Sequence, residues 1–395
     1  MAGPLEGLRV IDMTGVLMGP YATTLLGDMG ADVIKVEAPE GDTTRRIGPA
    51  RHAGMSSLFI QLNRSKRSLV LDLKQPGGRA ALLRLCESAD VLVFNLRPHT
   101  MKRLGLTYEQ VSAVNPRIVY CGVYGFGNGG RYAGKPAYDD LIQGAVALPS
   151  LHAMSGGQPR YMPITIADRN TGLTAVHSIL AALFHRERSG RGQSIEVPMF
   201  EMMASYVLGD HLYGKTFDPP IGGMGYPRLL AAERRPYKTQ DGYVCALIYN
   251  DKQWRSFLGL IGKPEMMTLD AYRSLTSRIQ NVEEVYGFVA ETIAERTTAY
   301  WLAELEKADV PVMPLHTLDS LLEDPHLADV GLIRNYDHPS EGRIRGIANP
   351  TVWSDTQPEP ERLAPRLGEH SREILVEAGY SPAEIDALVA SGTTV

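Results

Sequence analysis

Cysteine is scarce in this chain and poorly placed for joint chemistry. Cys86, Cys121 and Cys245 are odd in number and far apart, which argues against a disulfide framework and a Cys-based zinc site, and for a reducing compartment. Long apolar runs are missing too, since nothing approaches the roughly 18 residues needed to cross a bilayer. The opening residues, Met1-Ala-Gly-Pro-Leu-Glu-Gly7, lack the basic and apolar regions of a secretory signal. Positive charge is not in excess: Lys and Arg total 40 against 45 Asp and Glu, so nucleic acid is not an expected partner. There is no His-Glu-x-x-His, Gly-x-Ser-x-Gly or Walker P-loop motif, and the ten histidines show no ligand spacing. These absences leave a cytoplasmic enzyme with no metal site, no nucleic-acid partner and no membrane span.

What is present reads as α/β. The 395 residues are 44% hydrophobic and 22% charged, enough for two to three cores of about 150 residues each. Leu8-Arg-Val-Ile-Asp12, Asp32-Val-Ile-Lys-Val36, Ser68-Leu-Val-Leu-Asp72, Asp90-Val-Leu-Val-Phe94 and Arg117-Ile-Val-Tyr-Cys121 read as strands. Helices are expected through Leu25 and Leu26 and over 76–88 and 107–114, an alternation that predicts a parallel sheet covered by helices. A further strand, Ile164-Thr-Ile-Ala167, is expected to run into a helix with Leu173, Val176, Leu180, Leu183 and Phe184 on its apolar stripe, followed by a strand at 194–197. Gly and Pro become dense from residue 214, and a strand at 241–248 with helices near 251–261, 283–295 and 298–308 predicts a smaller domain over 213–315, with Pro311 and Pro314 at its exit. Ser381-Pro-Ala-Glu384 is a helix start with a capping box.

Gly125-Phe-Gly-Asn-Gly-Gly130 fits Gly-x-Gly-x-x-Gly after a strand, but Gly134 and Pro136 argue against the helix a dinucleotide site needs. A flexible loop is the plainer reading. Asp168 stands where the expected strand turns into a helix, at the sheet edge where such folds place ligands. Two readings fit it: an N-cap bonded to the amide near Thr171, or a nucleophile kept ionised by the helix N-terminus. Lys74, Arg97, Arg103 and Lys135, with Asn95 beside them, fall on loops after the early strands and suggest a polyanionic ligand. The segment Pro219-Pro-Ile-Gly-Gly-Met-Gly-Tyr226 is either a linker or a mobile lid.

At these residues the chain resembles the class III CoA-transferases, the family of formyl-CoA:oxalate and carnitine CoA-transferases. The likeness runs from Leu8–Asp12, Gly19-Pro20 and Gly30–Glu37 through Leu71-Asp-Leu-Lys74, Asn95-Leu-Arg-Pro98, Arg103–Leu106 and Tyr138-Asp139. It continues through Ala167-Asp-Arg-Asn-Thr-Gly172, Gly190-Arg-Gly-Gln193 and Asp241-Gly242 to Leu367-Gly-Glu-His370.

The resemblance implies a Rossmann-like large domain from both chain ends (1–212 and 316–395), a small domain between, and an interlocked ring-like homodimer. It implies acyl-CoA and carboxylic acids as substrates, no tightly bound cofactor, and Asp168 as the nucleophile that forms aspartyl anhydride and aspartyl-CoA intermediates. By the same likeness Val16, Leu17, Leu71, Lys74, Asn95, Leu96, Arg97, Arg103, Lys135, Ala137, Tyr138 and Asp139 match CoA-contacting positions. Gly222, Gly223 and Gly225 match a glycine-rich lid. Leu17 and Ala38 stand where the formyl transferase has Gln and Arg, which counts against formate and oxalate. Arg45, Arg46, Arg169 and Arg228 are candidates to pair with the second carboxylate of a dicarboxylic acid. Two alternatives remain: an acyl-CoA racemase of the same fold, whose catalytic His aligns with Tyr138, and a non-catalytic CoA-binding protein.

Overall fold

The structure, a computed structural model, describes residues 3–395. Six parallel strands pair in the order β3-β2-β1-β4-β5-β6. They are β1 Arg9–Met13, β2 Asp32–Glu37, β3 Lys66–Val70, β4 Val91–Phe94, β5 Val119–Tyr124 and β6 Gln193–Pro198. In β4 all four residues of Val-Leu-Val-Phe are buried, as in a sheet with crossover helices on both faces. The core joins Ile11, Ile34, Leu69, Leu92 and Phe94 to Leu82 and Leu85 of the Pro76–Cys86 helix. The third expected strand sits two residues earlier than its apolar run suggested, because Lys66 is paired with buried Asp12 and Arg67 with Asp32 of the neighbouring strand.

The chain divides into two compact units. The larger comprises Met1–Ala145, Pro163–Ala204 and Pro325–Val395, and holds the six-stranded sheet. Its late segment covers the free edge beside β3. The His370 amide donates to the Ser68 carbonyl (3.0 Å), the Asp72 amide to the Thr393 carbonyl (2.8 Å), and Thr394 Oγ1 to the Val70 carbonyl (2.7 Å). An edge strand left bare would be a template for pairing with other chains.

The smaller unit comprises Val146–Met162 and Ser205–Asp324. It has an antiparallel sheet of β7 Tyr237–Lys238, β8 Tyr243–Ala246 and β9 Val312–Pro314. Trp254, Phe257, Val285, Val289 and Trp301 form its separate core. Val146–Met162 lies outside the 213–315 span read from the sequence; its short Leu148–Met154 helix packs on the Pro227–Leu230 turn.

Two expectations around Asp168 change. No strand forms over 164–167; Ile164 is exposed, and a helix runs from Ile166 to Ser189 with Thr165 as its N-cap. Nor are Leu173 and Phe184 in the core: they are 47% and 63% exposed, while Thr171, Gly172, Ala175, Val176, Ile179 and Ala182 are buried. Val176 and Leu183 of the expected stripe are buried, and in the first turns, at Thr171, Gly172 and Ala175, small side chains face inward because the Met18–Asp28 helix lies close. A Cβ on Gly172 would stand 2.8 Å from the Met18 carbonyl oxygen and 2.9 Å from Tyr21 Cδ1. The glycine-rich 125–130 segment is a loop that runs on into turns and coil over 131–138 and opens no helix itself. The Gly127 and Asn128 amides donate to Glu201 (3.0 Å) and Glu196 (2.5 Å), so carboxylates occupy the donors a pyrophosphate would need.

Candidate active site

Strand order reverses between β1 and β4, and the crevice beyond their carboxyl ends is where open α/β sheets bind ligands. The loops leaving these strands are tied together. Asn95 Oδ1 accepts the Gly15 amide (3.1 Å) and Asn95 Nδ2 donates to the Gly15 carbonyl (2.9 Å). Next in this loop, Val16 has φ +70°, a conformation costly for a β-branched residue. Its amide donates to Asp42 Oδ1 at 3.2 Å.

Beneath the loop lies a buried charge network that the sequence reading missed. Lys66 Nζ donates to Asp12 Oδ2, the Pro20 carbonyl and Asn63 Oδ1, each at 3.0 Å. Lys35 Nζ donates to Asp42 Oδ2 and the Thr14 carbonyl, both at 2.9 Å. Asp12 accepts the Thr14 amide (2.9 Å) and the Thr23 hydroxyl (2.6 Å). Burial pushes the Lys66 ammonium down to about 8, against the opposing pull of Asp12. Burial would raise Asp12, but Lys66 and Lys35 hold it well below the usual carboxylate range. A signal was available: Asp12 lies between Ile11 and Met13 and Lys35 between Ile34 and Val36, and the two are register partners in adjacent strands.

Most of the residues matched to CoA contacts come together here. Leu71, Lys74, Asn95, Leu96 and Arg103 line a cavity of about 430 Å³ with Thr14, Gly15 and Ala38. Asn95, Arg97, Lys135, Ala137 and Tyr138 line a second of about 170 Å³ with Met18. Lys74, Arg97, Arg103 and Lys135 are exposed, and Tyr138 is 67% exposed. Val16 and Leu17 line neither space; they link Gly15 of the first to Met18 of the second. A larger cavity of about 810 Å³, between residues 49–61 and the β10–β11 hairpin (Ile333–His338 and Gly342–Ile347), takes in none of these positions.

Asp168 is the third residue of its helix, not the N-cap, and is 9% exposed. The amides that could have steadied its charge are taken. Asp139, at the start of the Asp139–Ala145 helix, accepts the Ala167 amide (3.1 Å) and the Asp168 amide, and is bonded by Gln143 Nε2 at 3.2 Å. Asp139 is therefore buried and turned to the helix start. Asp168 has a like charge nearby and no backbone donor. Burial, then the Asp139 charge, push its carboxyl up to about 7, against a smaller downward pull from Arg169. One of the two readings of Asp168 had the helix N-terminus keep it ionised; desolvation and Asp139 outweigh that effect.

The remaining candidates are scattered. Arg45 is buried and paired with Glu37 at 2.7 Å, and exposed Arg46 donates to the Glu40 carbonyl at 2.7 Å. Arg228, in the smaller unit, donates to the Tyr286 hydroxyl at 3.0 Å. Gly222, Gly223 and Gly225 are also in the smaller unit, in a loop closed by the Gly214 amide on the Gly223 carbonyl (3.0 Å) and the Gly225 amide on the His211 carbonyl (2.8 Å). Among the described residues no helix is long and apolar enough to cross a membrane, and no group of His, Cys, Asp and Glu is arranged to hold a metal ion.

Comparison with known proteins agrees with the family the motifs suggested. Residues 5–371 match CoA-transferase family III. A succinate–glutarate CoA-transferase of Agrobacterium fabrum is 34% identical over 383 residues, 95% of each chain. A succinyl-CoA:mesaconate CoA-transferase of Haloarcula hispanica is also 34% identical, over 95% of this chain and 97% of its own. A CAIB/BAIF family protein from Brucella suis, 32% identical, superposes with a TM-score of 0.80 over 96% of this chain and all of its own. The chain belongs to CoA-transferase family III and is an enzyme of that class.

Proposed function

We propose that the enzyme moves CoA from an acyl-CoA to a free carboxylic acid, with Asp168 as covalent nucleophile. The Asp168 carboxylate attacks the thioester carbonyl; the C–S bond breaks and leaves a mixed anhydride and CoA thiolate. The thiolate attacks the aspartyl carbonyl, expels the donor carboxylate and forms an aspartyl-CoA thioester. The acceptor carboxylate attacks that thioester, its C–S bond breaks to give a second mixed anhydride and CoA thiolate, and the thiolate attacks the acceptor acyl carbon and frees the Asp168 carboxylate. Acyl potential is kept throughout, so no ATP is consumed, provided water stays out.

One observation carries this reading: a nearly buried carboxylate whose neighbouring amides are spent on Asp139. Such a group has lost the solvent and donors that blunt a carboxylate's nucleophilicity. Lys74 and Arg103 at the larger of the two cavities, and Arg97 and Lys135 at the smaller, suit the phosphates of CoA. Succinate, glutarate and mesaconate, the acids in the relatives' names, are all dicarboxylic, so a dicarboxylic acid is the acceptor class we assign. The family resemblance implies a homodimer, which sedimentation would show as a species of twice the chain mass.

The test is mass spectrometry of enzyme mixed with succinyl-CoA and trapped with borohydride or hydroxylamine. An adduct on Asp168, absent from Asp168→Ala along with all new CoA thioesters, is expected. Full transfer by Asp168→Ala would end the proposal.

A further inference from the structure

Four arginines were candidates to read the second carboxylate of a dicarboxylic acid, and the structure separates them. Arg45 is spent on Glu37, Arg46 lies at the surface on a backbone carbonyl, and Arg228 belongs to the other unit. Arg169 differs in three respects. It follows Asp168 in the first turn of the same helix. Its guanidinium lies 4.4 Å from the centre of the Tyr21 ring. Among the described residues no carboxylate comes within 4.0 Å of it; it acts on Asp168 only at longer range, and no close ion pair occupies its edge.

We propose that Arg169, held on the Tyr21 ring, binds the remote carboxylate of the dicarboxylic acid whose other carboxylate reacts at Asp168. The inference rests on the CoA-transfer reading. A guanidinium held against a ring keeps its edge N–H groups free, and those match a carboxylate two at a time. Tyr21 is itself fixed, since its ring lies against the helix at Gly172. Adjacent helical residues fan apart by about 100° from Cα atoms ~3.8 Å apart. Two such neighbouring groups suit a short acid with a carboxylate at each end: in a four- or five-carbon diacid the carboxyl carbons stand about 4–5 Å apart for bonds of ~1.5 Å. A monocarboxylic acid of equal length would leave Arg169 unmatched.

The test compares glutarate with valerate as acceptors for the full-length enzyme and its Arg169→Gln and Arg169→Lys variants. In a ping-pong scheme kcat/KM for the acceptor reads only its reaction with the aspartyl-CoA enzyme, so any effect on the succinyl-CoA donor cancels. Arg169→Gln is expected to lower kcat/KM for glutarate by about 30-fold or more, to leave valerate within about twofold, and Arg169→Lys to recover part of the loss. Equal loss on both acids would assign Arg169 to tuning Asp168 or to the fold, and unchanged glutarate turnover would remove it from the site; either overturns the proposal. Wild-type enzyme that transfers CoA to no acid at all defeats the CoA-transfer reading instead.

Discussion

Replacing Asp168 with Asn should stabilise the protein while abolishing transfer. The carboxyl titrates near 7 in the folded chain against 3.8 for an ordinary aspartate, so the folded state holds the proton more tightly than the unfolded one. Stability therefore falls as pH rises from about 3.8 to about 7, and the penalty is complete above that. At ~1.4 kcal/mol per pH unit the shift corresponds to about 4 kcal/mol at pH 8. Asn keeps the size and removes the charge, at the cost of a buried amide, so a net gain of roughly 2–4 kcal/mol is expected. Urea midpoints for wild type and Asp168→Asn at pH 8 and pH 5 check this, and the gain must shrink at the lower pH. The same ionisation should give kcat/KM for acyl-CoA an acid limb with a midpoint near 7 in wild type. A variant less stable than wild type, or a gain independent of pH, would refute the account of why Asp168 is poised.

Asp139→Asn removes the like charge beside Asp168 while its carboxamide oxygen can still accept one helix amide; the acid limb should move to lower pH, read from pH–rate profiles. Lys66→Met leaves Asp12 without its nearest cation and should cost about 3–5 kcal/mol, measured by denaturant unfolding. Gly172→Val forces the Met18–Asp28 and Asp168 helices apart and should cost about 1–3 kcal/mol, with a matching loss of transfer activity. Lys74→Ala with Arg103→Ala should raise KM for acyl-CoA with kcat little changed, and flatten the salt dependence of KM.

Much of the larger unit was legible because its strands are short β-branched runs set between helix signals, and buried parallel strands leave that trace. Asp168 was legible as a position but not as a chemical state. Its environment depends on Asp139, 29 residues earlier in the sequence, capping the same helix turn, and no local pattern announces that. Ile164 to Ala167 imitated a strand because three β-branched residues, Ile164, Thr165 and Ile166, run together there, yet no neighbouring strand pairs with them. Leu173 and Phe184 were misplaced because the facing helix demanded small residues on the buried side. The Lys35 and Lys66 pairs were hidden for a different reason. Hydropathy treats a lysine in a strand as an interruption, whereas here Lys35 anchors the loop that follows β1 through the Thr14 carbonyl and Asp42.

The cover over the edge at β3 also constrains how the protein can be made. The Ser68 amide meets His370 Nδ1 across 302 residues of sequence, and Val70 meets Thr394 across 324. At the roughly 5–20 residues per second of translation, the early strands leave the ribosome on the order of 15–60 s before these partners exist. During that interval one flank of the nascent sheet is open to strangers. Chaperone dependence during synthesis follows from this layout, and moving residues 366–395 ahead of residue 3 by circular permutation should relieve it.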